Sequence, residues 1–589
     1  MQSTEPVVTL PPLPLACPGK AGGGKKFFHM ADPPSTTIRS PGAGPVRDLP
    51  GVARRVLIIG LDGATFDVLD PMIQRGRMPR LKAFLAGGTS GILRSTIPPI
   101  TPAAWTTFMT GKGPGTHGII DFERYDARAN RLTLNTTNCL RHVRTIWQIV
   151  GDKGFGVGCV SIPMTYPPTA VNGFMISGFG TPDRDSEFTY PAALKDEVLR
   201  VCPDYGFGSK WRRRMFGGDA LLRENLAAVK RSFHHGYELA CHCGERFGWD
   251  VLMVVLKLVD NLQHKTWRYL DPRWAPRCPK RAEMVADCFA DLDEAFGRLV
   301  DYAGRNDALV FVMSDHGHGS LEGQAQPNLL LRQWGCLGVK PGAQSAARGR
   351  RLLRRLTNRK RSRFTEGRIG IEQDLAIDMN RTQACVMHAG MSGFLYINLA
   401  GRQRTGTVPP DQYEPLRNDL RRRFLEVTDV EPGGRTVRVF QEVHKPEELY
   451  GCSRDGREWL PDLLLVPRDG LAVIRRIRTS TPVRWFPVRR IEGTHRREGM
   501  FAVAGPGIAR GRTVDADIVD STPTILAMLG LRIPDDMEGR VIEGLFDPPI
   551  HFEFEKAAPA GDAGPADEVY SDHELQKVTE RLIDLGYLQ

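Results

Sequence analysis

Four short apolar runs, each long enough for one β-strand, constrain the fold of this chain more than any other feature. They lie at 54–62, 250–260, 308–315 and 500–505, with charged residues mainly at their ends. Such runs are typical of strands that are buried on both faces, as in a parallel sheet. A helical pattern of apolar residues fills 281–303. Strands that alternate with helices predict an α/β fold with a largely parallel central sheet flanked by helices.

Aspartate and histidine residues follow three of these runs or come just before the fourth. They are Asp62, Asp260, His264, Asp315, His316 and His495. In an open α/β sheet, ligands bind just beyond the carboxyl ends of the strands. Carboxylate oxygens and imidazole nitrogens are preferred ligands of zinc and similar divalent ions. Each residue alone is typical of a helix cap, a turn or a structural histidine. Their repetition at strand ends favours a metal site.

Thr101 is the candidate nucleophile. It is followed by Pro102 and by helix-forming residues, which predicts a helix with Thr101 as its N-cap and proline at the first helical position. One interpretation is that Thr101 is only a cap. The other is that the helix N-terminus binds phosphate through the N–H groups of Ala103 and Ala104, since Pro102 has none. Coordination to a metal would then lower the pKa of the hydroxyl and make Thr101 a nucleophile.

The order of the motifs resembles that of a known family. The motifs occur as Gly-Leu-Asp62-Gly, Thr101-Pro, Thr110-Gly-Lys-Gly-Pro-Gly-Thr-His117-Gly-Ile, Asp260-x3-His264, Ser-Asp315-His316-Gly and Gly-Thr-His495. This order is similar to that of the type I phosphodiesterase/nucleotide pyrophosphatase family of the alkaline phosphatase superfamily, and it spans roughly 54–545. The Cys-x-Pro-x-Arg motif of sulfatases does not occur in the sequence.

The resemblance implies an alkaline-phosphatase-like core with two divalent metal ions, most often Zn²⁺, with Mn²⁺ as the alternative. By motif position, the first ion would be held by Asp260, His264 and His495, and the second by Asp62, Asp315, His316 and the Thr101 oxygen. The implied reaction is an in-line displacement in which Thr101 attacks phosphorus and forms a phosphothreonine ester that is then hydrolysed. The implied function is a metal-dependent phosphohydrolase that cleaves phosphodiester or pyrophosphate bonds in a phosphorylated small molecule.

One position departs from the family pattern. The family usually carries asparagine three residues after the nucleophile, where this chain has Ala104. The departure leaves a phosphomonoesterase or phosphomutase with the same metals as an alternative. Lys112 and His318 lie in or beside the motifs. Together with Ala103 and Ala104, they are candidates to contact the substrate or to support a metal ligand, while solvated or structural roles remain open.

Composition divides the chain into five parts. Residues 1–53 are rich in Pro and Gly and predict a disordered tail. The catalytic core is expected over 54–330 and 481–545, with a cap inserted over 331–480. A linker and a C-terminal helix are expected over 546–589, because Ser571 and Glu574 have the spacing of a capping box. The sequence has no apolar run of the ~18 residues that a membrane span requires, and its scattered cysteines favour a cytoplasmic location.

The formal net charge of +11 is concentrated in one segment. Nine of the residues in 348–363 are Arg or Lys and none is acidic. Three interpretations of this segment are open: a solvated insertion, a helix on an anionic membrane surface, and a nucleic-acid site. The second would make the protein peripheral to the membrane. The segment lacks the interleaved aromatic residues that favour single-stranded nucleic acid. A non-catalytic protein that binds a membrane or nucleic acid through 348–363 is therefore a further alternative function.

Overall fold

The computed structural model describes residues 53–127, 131–135, 143–207, 211, 218–340, 377–559 and 569–585. The basic segment 348–363 and residues 1–52 of the predicted tail lie outside these ranges. The helices of the described ranges are all too short or too polar to cross a lipid bilayer.

The strands of the first half of the chain are β1 (Arg55–Gly60), β2 (Thr89–Arg94), β3 (Glu123–Asp126), β4 (Arg131–Leu134), β5 (Val157–Ile162), β6 (Gly173–Ser177), β7 (Thr189–Tyr190), β8 (Val251–Val255) and β9 (Ala308–Met313). Those that follow are β10 (Gly317–Leu321), β11 (Gly323–Ala325), β12 (Ala384–Ala389), β13 (Gly393–Ile397), β14 (Thr428–Val430), β15 (Thr436–Arg438), β16 (Phe440–His444) and β17 (Leu463–Pro467). The last are β18 (Leu471–Val473), β19 (Val483–Trp485), β20 (Glu492–Arg496), β21 (Glu498–Ala504), β22 (Arg512–Thr513), β23 (Ala516–Asp517), β24 (Ile533–Pro534) and β25 (Phe554–Glu555).

The α-helices of the first half are α1 (Phe66–Gln74), α2 (Pro79–Ala86), α3 (Thr101–Thr110), α4 (Pro114–His117), α5 (Ile146–Asp152), α6 (Leu194–Val201) and α7 (Gly218–Phe247). They are followed by α8 (Val259–Thr266), α9 (Pro279–Arg305), α10 (Pro327–Gln333), α11 (Pro410–Glu426), α12 (Pro446–Tyr450), α13 (Ser521–Met528) and α14 (Asp572–Leu585). Single 3₁₀ turns lie at Trp267–Tyr269, Ala275–Arg277, Met379–Arg381, Val488–Arg490, Ile518–Asp520 and Glu543–Leu545.

A ten-stranded sheet forms the centre of the molecule. Its order is β22-β2-β21-β9-β1-β8-β5-β6-β7, and β23 also pairs with β2. The strands β9, β1, β8, β5 and β6 are all parallel to one another. The strand β21 runs antiparallel between β2 and β9, and β7 is antiparallel to β6. The structure therefore confirms the predicted α/β fold with a largely parallel central sheet.

Helices cover both faces of this sheet because its strands are apolar on both sides. In β1, Leu57 and Ile59 pack in one apolar cluster with residues of α1, α2, α6, α7 and α9. Val56 and Ile58 face the opposite way and pack with residues of α3, α5 and α13. All four side chains are fully buried. The continuous apolar run predicted this double burial, since a strand exposed on one face would alternate apolar and polar residues.

A second, smaller sheet lies within the range 331–480 that the sequence assigns to a cap. Its order is β12-β13-β17-β16, and all of its described pairings are antiparallel. Its strands share an apolar cluster of their own with α10 and α11.

The second apolar run, at 250–260, forms a shorter strand than its composition suggests. The strand β8 ends at Val255 and α8 begins at Val259. The turn between them passes through Leu258, which has a left-handed φ of 74°, a conformation that a non-glycine residue adopts infrequently. Because the strand stops early, Asp260 and His264 lie on the first two turns of a helix, as their spacing of four residues predicts.

Candidate metal centre and nucleophile

Three neighbouring parallel strands deliver the aspartates to one edge of the central sheet. The strand β1 pairs with β8 on one side and with β9 on the other. The chain continues from β1 to Asp62, from β8 through the turn to Asp260, and from β9 to Asp315. Because parallel strands end at the same edge, these three carboxylates lie close together.

One cluster of possible metal ligands consists of Asp260, His264, His318 and His495, each offering one atom within 4.8 Å of the others. The Asp260 Oδ1 atom lies 3.3 Å from His264 Nε2, 3.5 Å from His318 Nε2 and 3.2 Å from His495 Nε2. We call this group the Asp260 cluster. It is deeply buried, since the His318 side chain is fully inaccessible and the His264 side chain is 11% exposed.

A second group, the Asp62 cluster, consists of Asp62, Asp315 and His316. His316 Nε2 lies 3.3 Å from Asp315 Oδ2 and 3.9 Å from Asp62 Oδ1. The other oxygen of Asp315 accepts a hydrogen bond of 3.0 Å from the Gly63 N–H, which fixes the carboxylate. The oxygens Asp62 Oδ1 and Asp315 Oδ2 are buried without a hydrogen-bond partner among the described residues.

The two clusters adjoin each other. The His316 ring of the Asp62 cluster stacks on the His495 ring of the Asp260 cluster, with centroids 3.6 Å apart. His495 is held there by β20, which pairs antiparallel with β10 and sets His495 opposite His318. The pairing of β10 with β20 thus brings His495, which is remote in sequence, to the edge formed by β1, β8 and β9.

Thr101 lies at the Asp62 cluster. Its Oγ1 atom is 3.5 Å from His316 Nε2, and the residue is 3% exposed. The structure begins α3 at Thr101 and puts Ile100 in the cap position, without a side-chain capping hydrogen bond. The predicted cap at Thr101 is therefore displaced by one residue. The only hydrogen-bond contact found for the Thr101 hydroxyl among the described residues is the histidine of the cluster.

The hydrogen bonds of the imidazole rings determine which nitrogen of each ring carries a proton. His264 Nδ1 is 2.9 Å from the Gly493 carbonyl, His495 Nδ1 is 2.9 Å from the Pro99 carbonyl, and His316 Nδ1 is 3.1 Å from the Gly317 carbonyl. A carbonyl only accepts, so each Nδ1 is assigned the proton and each Nε2 keeps a lone pair. Burial lowers the pKa of His316 and His495, which keeps these two rings neutral.

Burial and like charge determine the pKa values of the carboxylates in the Asp62 cluster. Burial, followed by the neighbouring Asp315 and Asp260, raises the pKa of Asp62 well above its usual value. Burial also raises the pKa of Asp315, to about 8. Burial and repulsion between carboxylates favour their protonated forms, and a bound cation reverses both effects. These unpartnered oxygens and inward-facing Nε2 lone pairs fit divalent metal ions.

Two further candidate residues, Ala104 and Lys112, have partners within the protein. The Ala104 N–H donates to the Ile100 carbonyl at 3.0 Å, so of the two predicted phosphate donors only the Ala103 N–H remains a candidate. The Ala104 side chain is fully buried in the apolar cluster beneath the sheet. Lys112 forms an ion pair with Asp536 and belongs to neither of the described clusters.

His318 lies closer to the candidate ligands than its sequence signal alone indicated. Its place two residues after His316 made it a candidate for substrate contact or ligand support. The structure groups it directly with Asp260, His264 and His495. His117, which belongs to the motif that follows Thr101, bonds to the Thr107 hydroxyl and lies outside both clusters.

The C-terminal helix supports the segment that carries Thr101. Val578 and Leu582 of α14 form a small apolar cluster with Ile100, Ala103 and Phe122. Ile100 and Ala103 flank the nucleophile candidate on α3. The start of α14 has the predicted capping box, in which the Ser571 N–H and hydroxyl both donate to the Glu574 carboxylate and the Ser571 hydroxyl accepts from the Glu574 N–H.

The sequence of the chain matches the model of a known protein family. The family model of type I phosphodiesterase/nucleotide pyrophosphatase matches residues 56–498, which is about three-quarters of the chain. The chain belongs to this family. It is accordingly a hydrolase that acts on phosphoric ester bonds and a member of the alkaline phosphatase superfamily. The match runs from the strand that precedes Asp62 to the residues just after His495, and so includes every residue of both clusters.

Two solved structures are similar to this member of the family. Phosphonoacetate hydrolase from Sinorhizobium meliloti 1021, in complex with phosphonoformate, has 16% identity and a TM-score of 0.49, covering 80% of this chain and 94% of that chain. Murine ectonucleotide pyrophosphatase/phosphodiesterase 5, as an inactive form in complex with AMP, has 11% identity and a TM-score of 0.46, covering 81% of this chain and 95% of that chain. A search of curated proteins finds no match.

Proposed function

We propose that the protein is a metal-dependent phosphohydrolase that cleaves phosphodiester or pyrophosphate bonds with Thr101 as its nucleophile. Two divalent ions would be held by residues of the two clusters. For the first ion they are Asp260, His264 and His495, and for the second Asp62, Asp315, His316 and the Thr101 oxygen. The single observation that carries the proposal is the distance of 3.5 Å between Thr101 Oγ1 and His316 Nε2.

The position of Thr101 supports its role as a nucleophile. A hydroxyl beside two carboxylates and a neutral imidazole that fit a cation is where a metal would lower its pKa and favour the alkoxide. When bound, the two ions would supply charge stabilisation for the attacking and leaving oxygens. The Thr101 oxygen would attack phosphorus in line with the leaving oxygen, the bond between phosphorus and that oxygen would break and release the first product, and a phosphothreonine ester would remain. Hydrolysis of that ester would restore the Thr101 hydroxyl and release the second product.

The helix α3 contributes to phosphate binding in this proposal. Its first residue is Thr101 itself, and the Ala103 N–H is the candidate donor to a phosphoryl oxygen. Pro102 provides no N–H, and its fixed φ suits the first turn of the helix. The apolar contact of Ile100 and Ala103 with α14 holds this turn against the core. Thr101 is therefore presented by a supported helix terminus rather than by a mobile loop.

The donor set favours zinc as the metal. Imidazole nitrogens with carboxylate oxygens suit Zn²⁺, whereas Mg²⁺ and Ca²⁺ prefer sites made only of oxygen. Mn²⁺ is the alternative, since it accepts both carboxylate and imidazole ligands. Metal content measured on the purified protein decides between the two ions. About two equivalents of zinc per chain are expected.

The preference for diesters is tested by comparing two activated substrates on one metal-loaded sample. The expected result is faster turnover of bis-p-nitrophenyl phosphate than of p-nitrophenyl phosphate, with loss of both activities after chelation. A phosphomonoesterase or phosphomutase would show the reverse preference. This comparison matters because the chain has Ala104 where the family usually has asparagine. The buried methyl group of Ala104 supplies no polar contact to a phosphoryl oxygen. Turnover that is unchanged by both chelation and Thr101→Ala would contradict the proposal.

A further inference from the structure

His318 has a fixed place in the interior. It lies in β10, directly opposite His495 of β20, and it is completely buried. Its ring stacks on the Trp267 ring with centroids 5.9 Å apart. Gly63 also approaches the ring, since an added Cβ there would come within 2.9 Å of His318 Nδ1. Trp267 and the backbone of Gly63 therefore both restrict the position of the ring.

Both ring nitrogens of His318 lack a hydrogen-bond partner among the described residues. This distinguishes His318 from His264, His495 and His316, whose Nδ1 atoms all bond to backbone carbonyls. Buried polar atoms are nearly always satisfied, so an orphaned pair on one ring indicates a missing partner. The Nε2 atom points into the Asp260 cluster, where it is grouped with the other ligand atoms.

The distances within the cluster indicate what the partner is. Ligand atoms at ~2.0–2.1 Å from a tetrahedral ion are separated from each other by about 3.3 Å. Asp260 Oδ1 lies 3.5 Å from His318 Nε2, close to its distances of 3.3 Å and 3.2 Å from the Nε2 atoms of His264 and His495. A direct hydrogen bond from His318 to Asp260 would be shorter, at ~2.7–3.2 Å.

We propose that His318 is a fourth protein ligand, through Nε2, of the divalent ion held by Asp260, His264 and His495. The inference rests on the two-ion centre of the proposed function and extends it by one residue. The ion would then have one carboxylate and three imidazole ligands. The extra imidazole adds nitrogen character, which favours Zn²⁺ or Co²⁺ over Mn²⁺ at this position.

A fourth ligand changes what this ion does. Four protein ligands complete a tetrahedral shell, whereas catalytic zinc sites usually retain one open position. The ion of the Asp260 cluster would meet a substrate oxygen only by expanding to five-coordination. The Asp62 cluster, with three protein side chains and the Thr101 hydroxyl beside them, retains the more open shell. Activation of the nucleophile is therefore assigned to the ion of the Asp62 cluster. The ion of the Asp260 cluster would mainly have a structural role.

Cobalt spectroscopy tests this assignment without measuring activity. The full chain is stripped of metal and titrated with Co²⁺, whose visible absorption reports the number and type of its ligands. His318→Ala removes the imidazole, and His318→Gln keeps a hydrogen-bond donor that could still orient Asp260. His117→Gln removes a buried imidazole that lies outside both clusters and is the matched control.

The expected result is a changed Co²⁺ spectrum in both His318 variants, with affinity at one of the two sites reduced by more than ~100-fold. Loss of a residue that only supports a ligand typically costs 10–100-fold. The control should keep the wild-type spectrum. A wild-type spectrum in either His318 variant would overturn the inference, whatever the affinity. If the wild-type chain itself binds no Co²⁺, the proposed function fails; if it binds two equivalents, only the inference is under test.

A crystal structure of the zinc-loaded wild-type chain keeps the inference falsifiable if the variants do not fold. Anomalous scattering at the zinc edge locates both ions. A distance of ~2.0–2.1 Å between zinc and His318 Nε2 is expected. A zinc ion bound by Asp260, His264 and His495, with His318 Nε2 beyond ~3 Å and hydrogen-bonded to Asp260, would overturn the assignment.

Discussion

His264 Nε2 and His495 Nε2 lie 2.9 Å apart, although each ring already donates from Nδ1 to a backbone carbonyl. Two imidazoles that each carry their proton on Nδ1 direct the lone pairs of their Nε2 atoms at each other. Such an arrangement is unfavourable unless a proton or a cation lies between the nitrogens. The backbone carbonyls of Gly493 and Pro99 therefore hold both rings in an orientation that fits a shared metal ion.

Metal removal is expected to lower the stability of the protein. Binding at a free metal concentration of 100 times Kd adds about 2.7 kcal/mol to the free energy of unfolding. For a chain of this size that corresponds to a rise of a few degrees in Tm. Thermal unfolding of chelated and zinc-reloaded samples measures the difference. His495→Asn should show a smaller response to zinc, whereas equal Tm values for the two wild-type samples would argue against the metal centre.

Substitution of the nucleophile is expected to abolish turnover without changing the fold. Thr101→Ala should reduce kcat for an activated phosphodiester by about 10³-fold or more, because the attacking oxygen is removed. Thr101→Ser retains a hydroxyl and is the matched control, with activity within about 10-fold of wild type. Tm in the absence of added metal should be close to wild type in both variants, and Thr101→Ser should also keep the wild-type metal content. A Thr101→Ala activity within 10-fold of wild type would eliminate Thr101 as the nucleophile.

A buried histidine outside the metal centre predicts a pH dependence of stability. His388 of β12 lies 3.0 Å from Asp121 and 2.9 Å from Glu123. Burial opposes its charge, but the carboxylates of Asp121 and Glu123 raise the pKa of His388 to about 9. The charged His388 therefore stabilises the folded state fully when the pH is below ~6.5, the pKa of histidine in the unfolded chain. This stabilisation is lost as the pH rises through about 9, the pKa in the folded state.

The expected loss of unfolding free energy is on the order of 3 kcal/mol, because a tenfold change in proton affinity between the unfolded and folded states corresponds to about 1.4 kcal/mol. Urea unfolding at pH 7 and at pH 10 measures it. In His388→Gln the free energy of unfolding should change less between the two pH values than in the wild-type chain. Equal changes in the two proteins would show that the His388 ion pairs contribute nothing to stability.

A buried carboxylate organises the second sheet. Asp462 is fully buried and accepts two hydrogen bonds from the Arg402 guanidinium, at 2.8 Å and 2.6 Å. It also accepts from Arg454 at 2.9 Å and from the Tyr413 hydroxyl at 2.5 Å. Asp462→Ala should reduce the free energy of unfolding by about 3–5 kcal/mol, because it leaves a buried cation unpaired.

The control for this prediction is an exposed ion pair on α9. Glu294 and Arg298 form a pair of 2.7 Å in which both side chains are about half exposed, and such pairs contribute about 0.2–1 kcal/mol. Glu294→Ala should therefore have a small effect in the same chemical denaturation experiment. A similar small effect for Asp462→Ala would show that the second sheet does not depend on this network.

The sequence was sufficient to predict the central sheet and most of the candidate ligands. The apolar runs that became β1, β8 and β9 are long and continuous, and each is followed by its aspartate within a few residues. These signals are local, because a strand buried on both faces needs apolar residues at successive positions. The position of Thr101 before a proline also predicted the start of α3 to within one residue.

The tertiary structure alone determined how the remote histidines join the site. His495 precedes β21 in sequence, but it reaches the metal centre because β20 pairs with β10. That pairing also sets His318 opposite His495 in the Asp260 cluster, whereas its place beside the Asp-His-Gly motif predicted only contact with the substrate or support of a metal ligand. Strand pairing between distant segments depends on burial and register that form only when the chain is folded. The amino-acid sequence therefore specified the types of candidate ligand and the sheet edge that carries them, and the folded backbone decided which histidines lie together in each cluster.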